Sequence, residues 1–302
     1  MSVLKRMSEW INKNGRPLDK AIINNVFYDG DKAAVVNALK AYQNDDGGFA
    51  HGLEPDFQTP ISNPIDTWTA INYIVLLDLI DPILISSVLD YLKHTNHKKD
   101  SLYFISIPEI NDAPHAPWWH FNEEEAIAGY NPSATLYAFI LRFEDKQSDF
   151  YSETLESALK MVRHVVTKDS IEMHELRNLL EFYNWCHPVL DLEMFRVFLL
   201  DVLDKTIEKD AAKWYSTYCL KPLDLFFNQN DLGFDRYEAL LRENLERALE
   251  QRNDEGIFDL TWSWKDYDPS GFKIAEKAWK SIVACEYLLK ANHFNKSLLK
   301  AD

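Results

Sequence analysis

The stretch QNDDGGFAHGLEPD, Gln43 to Asp56, places two adjacent glycines, four carboxylates and one histidine between two apolar runs. It reads as the joint of a helical repeat. Ahead of it, DKAAVVNALKAYQ sets Ala34, Val35, Ala38, Leu39 and Tyr42 on one stripe, the spacing of a helix. Behind it, SNPIDTWTAINYIVLL opens with Asn63 as N-cap and Pro64 at the first helical position. A helix needs a stop, and a glycine supplies the positive φ of a C-terminal turn; the expectation falls on Gly48. Gln43 is expected to bond exposed backbone of a neighbouring helix, and Phe49 to wedge between helices.

Working outward, the scheme recurs. ALEQRNDEGIF ends a helix at Gln251 and continues through an acidic turn to Gly256, Ile257 and Phe258. Asn131-Pro132-Ser133-Ala134-Thr135-Leu136-Tyr137-Ala138 repeats the Asn, Pro, Thr and Ala of Asn63-Pro64-Ile65-Asp66-Thr67-Trp68-Thr69-Ala70, so Asn131 is expected to cap a second helix in the same way. NQNDLGF, Asn228 to Phe234, lacks a preceding helix and reads as coincidence. LDKAIINNVFY, SETLESALKMVRHVV, SIEMHELRNLLEFYNWC, DLEMFRVFLLDVLDK, RYEALLRENLERALEQ and GFKIAEKAWKSIVACEYLLK also carry helical periodicity. Only LYFISI, Leu102 to Ile107, is a fair strand. The class is therefore all-α, in a single repeat domain over residues 1–302.

Composition narrows the partners. Hydrophobic residues at 46% and charged residues at 26% are ordinary for a globular chain. A net charge of −16 repels phosphate backbones and anionic lipid, so neither nucleic acid nor membrane is an expected partner. The one basic cluster, LKHTNHKKD, reads as a helix end where cations favour the dipole. Cys186, Cys219 and Cys285 are odd in number and lack metal or redox spacing, which points to reduced, packed thiols. MSVLKRMSEW has no apolar leader core, and YIVLLDLI is far short of a membrane span and broken by Asp78, so a cytoplasmic protein is expected.

The pairs Gln43…Gly48-Phe49 and Gln251…Gly256-Ile257-Phe258 resemble the Gln-to-Gly-to-aromatic repeats of the terpenoid cyclase and protein prenyltransferase superfamily. QNDDGGFAHGLEPDFQTP, PWW, NPSAT and TWSW…AEKAWKSIV are similar to a soluble group with that fold. The resemblance runs from about Ala33 to Leu289 and implies an α/α toroid, with inner and outer rings of helices around a central cavity. It does not carry the superfamily's chemistry. There is no Asp-x-Asp-Asp run, Asp45-Asp46 is followed by Gly47-Gly48-Phe49 rather than by a magnesium motif, and no Asp precedes Cys186 or Cys219 as a zinc ligand would. No cofactor or metal is expected.

Three clusters carry the candidate chemistry. His51, Glu54 and Asp56 lie in the first joint, where an acid/base set would raise one carboxyl pKa by mutual repulsion; alternatively the carboxylates cap loop amides. Trp118, Trp119 and His120 in PWWHFNEEE could stack on a sugar or isoprenoid face, or anchor a loop. Trp262, Trp264 and Asp266 in TWSWKDYD alternate like a short extended segment and carry the same two readings. The histidine spacings His94/His97 and His115/His120 are not those of a zinc helix. The expected function is binding or transformation of an apolar, isoprenoid-like small molecule in a central cavity. The alternatives are a glycan-active helical barrel using cavity carboxylates and a non-catalytic scaffold. If one site exists, these three clusters should meet.

Overall fold

A computed structural model describes residues 1–301, and helix is its dominant regular structure. In chain order the helices are α1 (Val3–Asn14), α2 (Pro17–Phe27), α3 (Lys32–Lys40), α4 (Pro64–Leu76), α5 (Pro82–His94), α6 (Ser133–Phe143), α7 (Asp149–Val165), α8 (Met173–Cys186), α9 (Glu193–Thr206), α10 (Pro222–Leu225), α11 (Phe234–Glu250) and α12 (Pro269–Phe294). The fold is all-α. LYFISI supplies only Leu102–Tyr103, paired antiparallel with Lys98–Lys99. Among the described residues no helix is long and apolar enough to cross a membrane.

The N-terminal decapeptide forms most of α1: Val3, Met7 and Ile11 recur every four residues and are all buried. On α3 only Val35 and Leu39 of the expected stripe are fully buried; Ala34 is exposed. α4 begins as its sequence implies, with Asn63 Oδ1 accepting the Asp66 N–H at 2.8 Å. The parallel expectation for Asn131 fails. α6 starts at Ser133, after a cis Asn131–Pro132 bond, and Asn131 Oδ1 instead accepts from Asn178 Nδ2 of α8 at 3.0 Å.

The two glycine joints are the same turn in three dimensions. Gly47 N–H donates to Asn44 O and Asn44 N–H to Gly48 O, both at 2.9 Å; Gly256 N–H donates to Asn253 O and Asn253 N–H to Ile257 O, both at 2.8 Å. The positive φ falls on Gly47 (86°) and Gly256 (82°), not on Gly48. Gly48 excludes a side chain for a different reason: a Cβ there would lie 2.5 Å from Tyr91 Cδ2 and 2.6 Å from Ser62 Cβ. Superposing the turns aligns Gln43 with Arg252, so Gln251 is one residue out of register and exposed. Gln43 Nε2 bonds Gly47 O of its own turn at 2.9 Å rather than a neighbouring helix. Phe49 is fully buried, as the wedge role requires.

Packing follows chain order. α6 touches α4, α7 and α8; α2 touches α3 and α12; α12 touches α1 and α11. The chain ends meet, with Val3 N–H donating to Ala301 O at 2.8 Å. α6 buries every residue from Ser133 to Leu141, the mark of a helix surrounded on all sides. One apolar core runs from Val3 to Leu299, and two satellite clusters lie under the loops, around Trp264–Phe272 and Phe57–Ile110.

Candidate functional site

The loop from Gln43 to Asn63 satisfies its own polar groups and aims three carboxyls inward. Asn44 Nδ2 donates to Pro60 O at 3.0 Å and Ser62 Oγ at 2.9 Å, while Asp46 Oδ1 accepts from Ser62 Oγ at 2.7 Å and Gly48 N at 3.0 Å. This network holds the chain so that Glu54, Asp56 and, at the head of α4, Asp66 are all buried.

Asp56 is the anchor of the second joint's aromatic pair. Its Oδ1 accepts from Trp264 Nε1 at 2.7 Å and its Oδ2 from Trp262 Nε1 at 3.3 Å. Burial pushes the Asp56 pKa up, and the indole N–H groups of Trp264, Trp279 and Trp262 oppose that rise. Trp279 does so without reaching hydrogen-bond geometry; its Nε1 is buried and unpaired. Asp66 accepts the Glu54 backbone N–H on Oδ1 at 2.6 Å and Asn63 Nδ2 on Oδ2 at 2.7 Å. Its complete burial drives its pKa up to about 7. Glu54 lies in the field of both aspartates: burial first, then Asp56 and Asp66, hold its carboxyl well above the usual range.

A cation that sequence reasoning passed over balances this acid. Arg16, just ahead of α2, forks onto Asp19 with Nε–Oδ2 and Nη2–Oδ1 both at 2.9 Å. The same guanidinium donates to Leu53 O and to the Tyr73 hydroxyl, each at 3.0 Å, tying the first joint to α2 and α4. The signal was present in Arg16-Pro17-Leu18-Asp19, where a proline helix start leaves arginine and aspartate one turn apart. Gln58 makes a second tie, from Nε2 to Gly271 O of α12 at 2.9 Å.

Members of all three clusters meet. Trp262 lines an open groove of about 490 Å³ with Asp259, Leu260, Ser263, Lys265, Phe272, Lys273 and Glu276. Trp264 lies behind it, buried and edge-on to Phe272 at 5.6 Å. Trp119 joins from the third cluster, packed edge-on against Phe57 at 5.6 Å and against the Trp264–Phe272 group. The remaining candidates lie elsewhere. His51 is exposed, with its ring 2.9 Å from Asn44 Oδ1. Trp118 is 52% exposed. His120 stacks on His115, whose Nε2 also meets the Tyr267 hydroxyl at 3.2 Å. Asp266 is exposed, and it is Asp268 that caps α12 through the Ser270 and Gly271 amides at 3.0 Å. Among the described residues no group of three or more His, Cys, Asp and Glu side chains is placed to hold a metal ion.

Asp56 is 2% exposed and both its oxygens face indoles. It can orient an aromatic surface but cannot reach a ligand in the groove. Glu54 has no side-chain partner of this kind. No protein-family model, curated protein or solved structure matches the chain.

Proposed function

We propose that this chain is a small-molecule-binding α/α-toroid protein whose groove takes a ring-shaped polar ligand, a sugar above all, on the face of Trp262. The observation that carries the reading is the double role of Trp262: it lines the groove while its N–H is tied to Asp56, and Trp279 stands edge-on to it at 5.3 Å. A fixed indole surrounded by Asp259, Lys265, Lys273, Glu276 and Ser263 suits a ligand with one apolar face and hydroxyls at its edge. An isoprenoid chain would want a deeper apolar cleft, so it is the second reading. Glu54 is buried and does not line the groove, so the reading is one of binding rather than catalysis.

The ring arrangement has its own support. Arg16 at the head of α2 reaches Tyr73 on α4; α4 packs on α6, α6 on α8, and α12 on α2. α3, α7 and α9 each pack on the helix that precedes them in sequence, as an outer layer would. The resemblance to the terpenoid cyclase and prenyltransferase superfamily belongs to the same proposal.

Thermal-shift and calorimetric titration with mono- and oligosaccharides, and with farnesol as the apolar comparison, tests the groove. A sugar should bind wild type, and Trp262→Ala should weaken it by about tenfold or more, the equivalent of about 1.4 kcal/mol. Binding by farnesol alone would favour the isoprenoid reading. No binding by either would favour a scaffold.

A further inference from the structure

Away from this groove, three segments bring an arginine against two aromatic rings. Arg177 lies on α8. Its guanidinium stands 5.2 Å from the Trp68 ring of α4 and 5.6 Å from the Phe227 ring, which follows α10. Only Nε has a protein acceptor among the described residues, Glu181 Oε1 at 3.1 Å. The other oxygen of Glu181 is occupied by the Thr135 hydroxyl at 2.6 Å and the Trp68 indole at 3.4 Å. The Arg177 side chain is nevertheless 32% exposed. The Glu181 bond at Nε and the two neighbouring rings confine the guanidinium, and its two terminal nitrogens are left as donors with no protein partner.

The other cations around it are paired. Lys290 lies 4.4 Å from the Phe227 ring centre and pairs with Glu286 at 2.8 Å and with the Leu223 carbonyl. Lys221 pairs with Asp224 at 3.3 Å. Burial resists ionisation of Glu286, but Lys290, Arg177 and Lys221 outweigh it and hold its pKa below the usual value. The three cations face Glu181, Glu286 and Asp224, a fourth carboxylate, Asp231, accepts the Phe227 and Asn228 amides at 2.7 and 2.8 Å, and the unsaturated feature left over is the terminal fork of Arg177.

We propose that Arg177, held between Trp68 and Phe227, binds the carboxylate of a small organic acid through its two terminal nitrogens, with the apolar part of the acid against the rings. A monoanion suits the site better than phosphate. Both lysines are already paired and the whole chain carries −16, so a second negative charge would meet no free cation. The site shares no residue with the Trp262 groove; its Glu286 is seven residues, about two helical turns, beyond Trp279 on α12. It therefore stands or falls independently of the sugar reading.

Calorimetric titration of the full chain with phenylacetate, acetate and inorganic phosphate tests it. Wild type should bind phenylacetate saturably at one site and more tightly than phosphate. Arg177→Lys keeps a cation opposite Glu181 but gives up the fork, and should weaken phenylacetate by about tenfold or more. Phe227→Leu should weaken phenylacetate while leaving acetate unchanged, a split that a merely structural role for the ring would not produce. Should Arg177→Lys not fold, the Phe227→Leu comparison decides alone. No saturable phenylacetate binding by wild type, equal affinity in either variant, or tighter phosphate than phenylacetate would overturn the proposal.

Discussion

Gly47 and Gly48 are neighbours that exclude a side chain for different reasons. At Gly47 the backbone is left-handed and a Cβ would lie 2.0 Å from the Ser87 carbonyl oxygen. At Gly48 the nearest atoms belong to the Tyr91 and Ser62 side chains. Gly47→Ala should therefore cost more than about 1–3 kcal/mol, the range for strained φ alone, because a backbone atom also stands in the way. Gly48→Ala should cost less, since side chains can shift; urea midpoints of the two variants check the order. The carboxyls make a second residue-scale prediction. Asp66 has a folded pKa of about 7, above its unfolded value of about 3.9. Between those values the folded state binds more protons than the unfolded chain, so stability is full below about pH 4 and falls as pH rises through about 7. Glu54 is shifted in the same direction. Asp66→Asn and Glu54→Gln should each flatten the fall in denaturation midpoint between those pH values. A wild type that gains stability over that window would contradict the assignment. The thiols supply a third: burial raises Cys186 to about 12 and also raises Cys285, whereas Cys219 is half-exposed. Iodoacetamide at neutral pH should label Cys219 alone in the folded protein, by mass spectrometry.

At the scale of the element, the two Asn-Pro sequences diverge. Asn63 caps α4 and also donates to Asp66, so Asn63→Ala should cost about 1–2 kcal/mol. Asn131 does not cap; its loss removes one hydrogen bond to Asn178, and Asn131→Ala should cost about 1 kcal/mol. If the two variants denature at the same urea concentration, capping is not what separates them. The physical cause of the divergence is competition. Asn178 Nδ2 on α8 engages the Asn131 oxygen, and Tyr130 O accepts the Ala134 N–H in the first turn of α6. A four-residue match cannot reveal a competitor 47 residues away.

For the whole molecule, the decisive contact joins the ends of the chain. Met7 is fully buried and α1 packs on α12. Met7→Ala should cost about 2–5 kcal/mol and should speed amide exchange in α12 as well as in α1. Exchange that rises in α1 alone would show that the closure is not cooperative.

Local chemistry was enough to determine the all-α class, the place of most of the helices, the α4 cap and the paired glycine turns, because helical periodicity, proline starts and turns act within a few residues of the chain. The same local reading singled out Asp56, Trp262 and Trp264 but could not join them, since they lie more than 200 residues apart and meet only when α12 docks against the first joint. Tertiary packing also set His51, Trp118 and Asp266 apart from that cluster. It placed Arg16 against Asp19, Leu53 and Tyr73, and Arg177 between Trp68 and Phe227. Which side chain faces which is settled by burial and by the pairing of charges across helices, and neither quantity exists until the helices have packed.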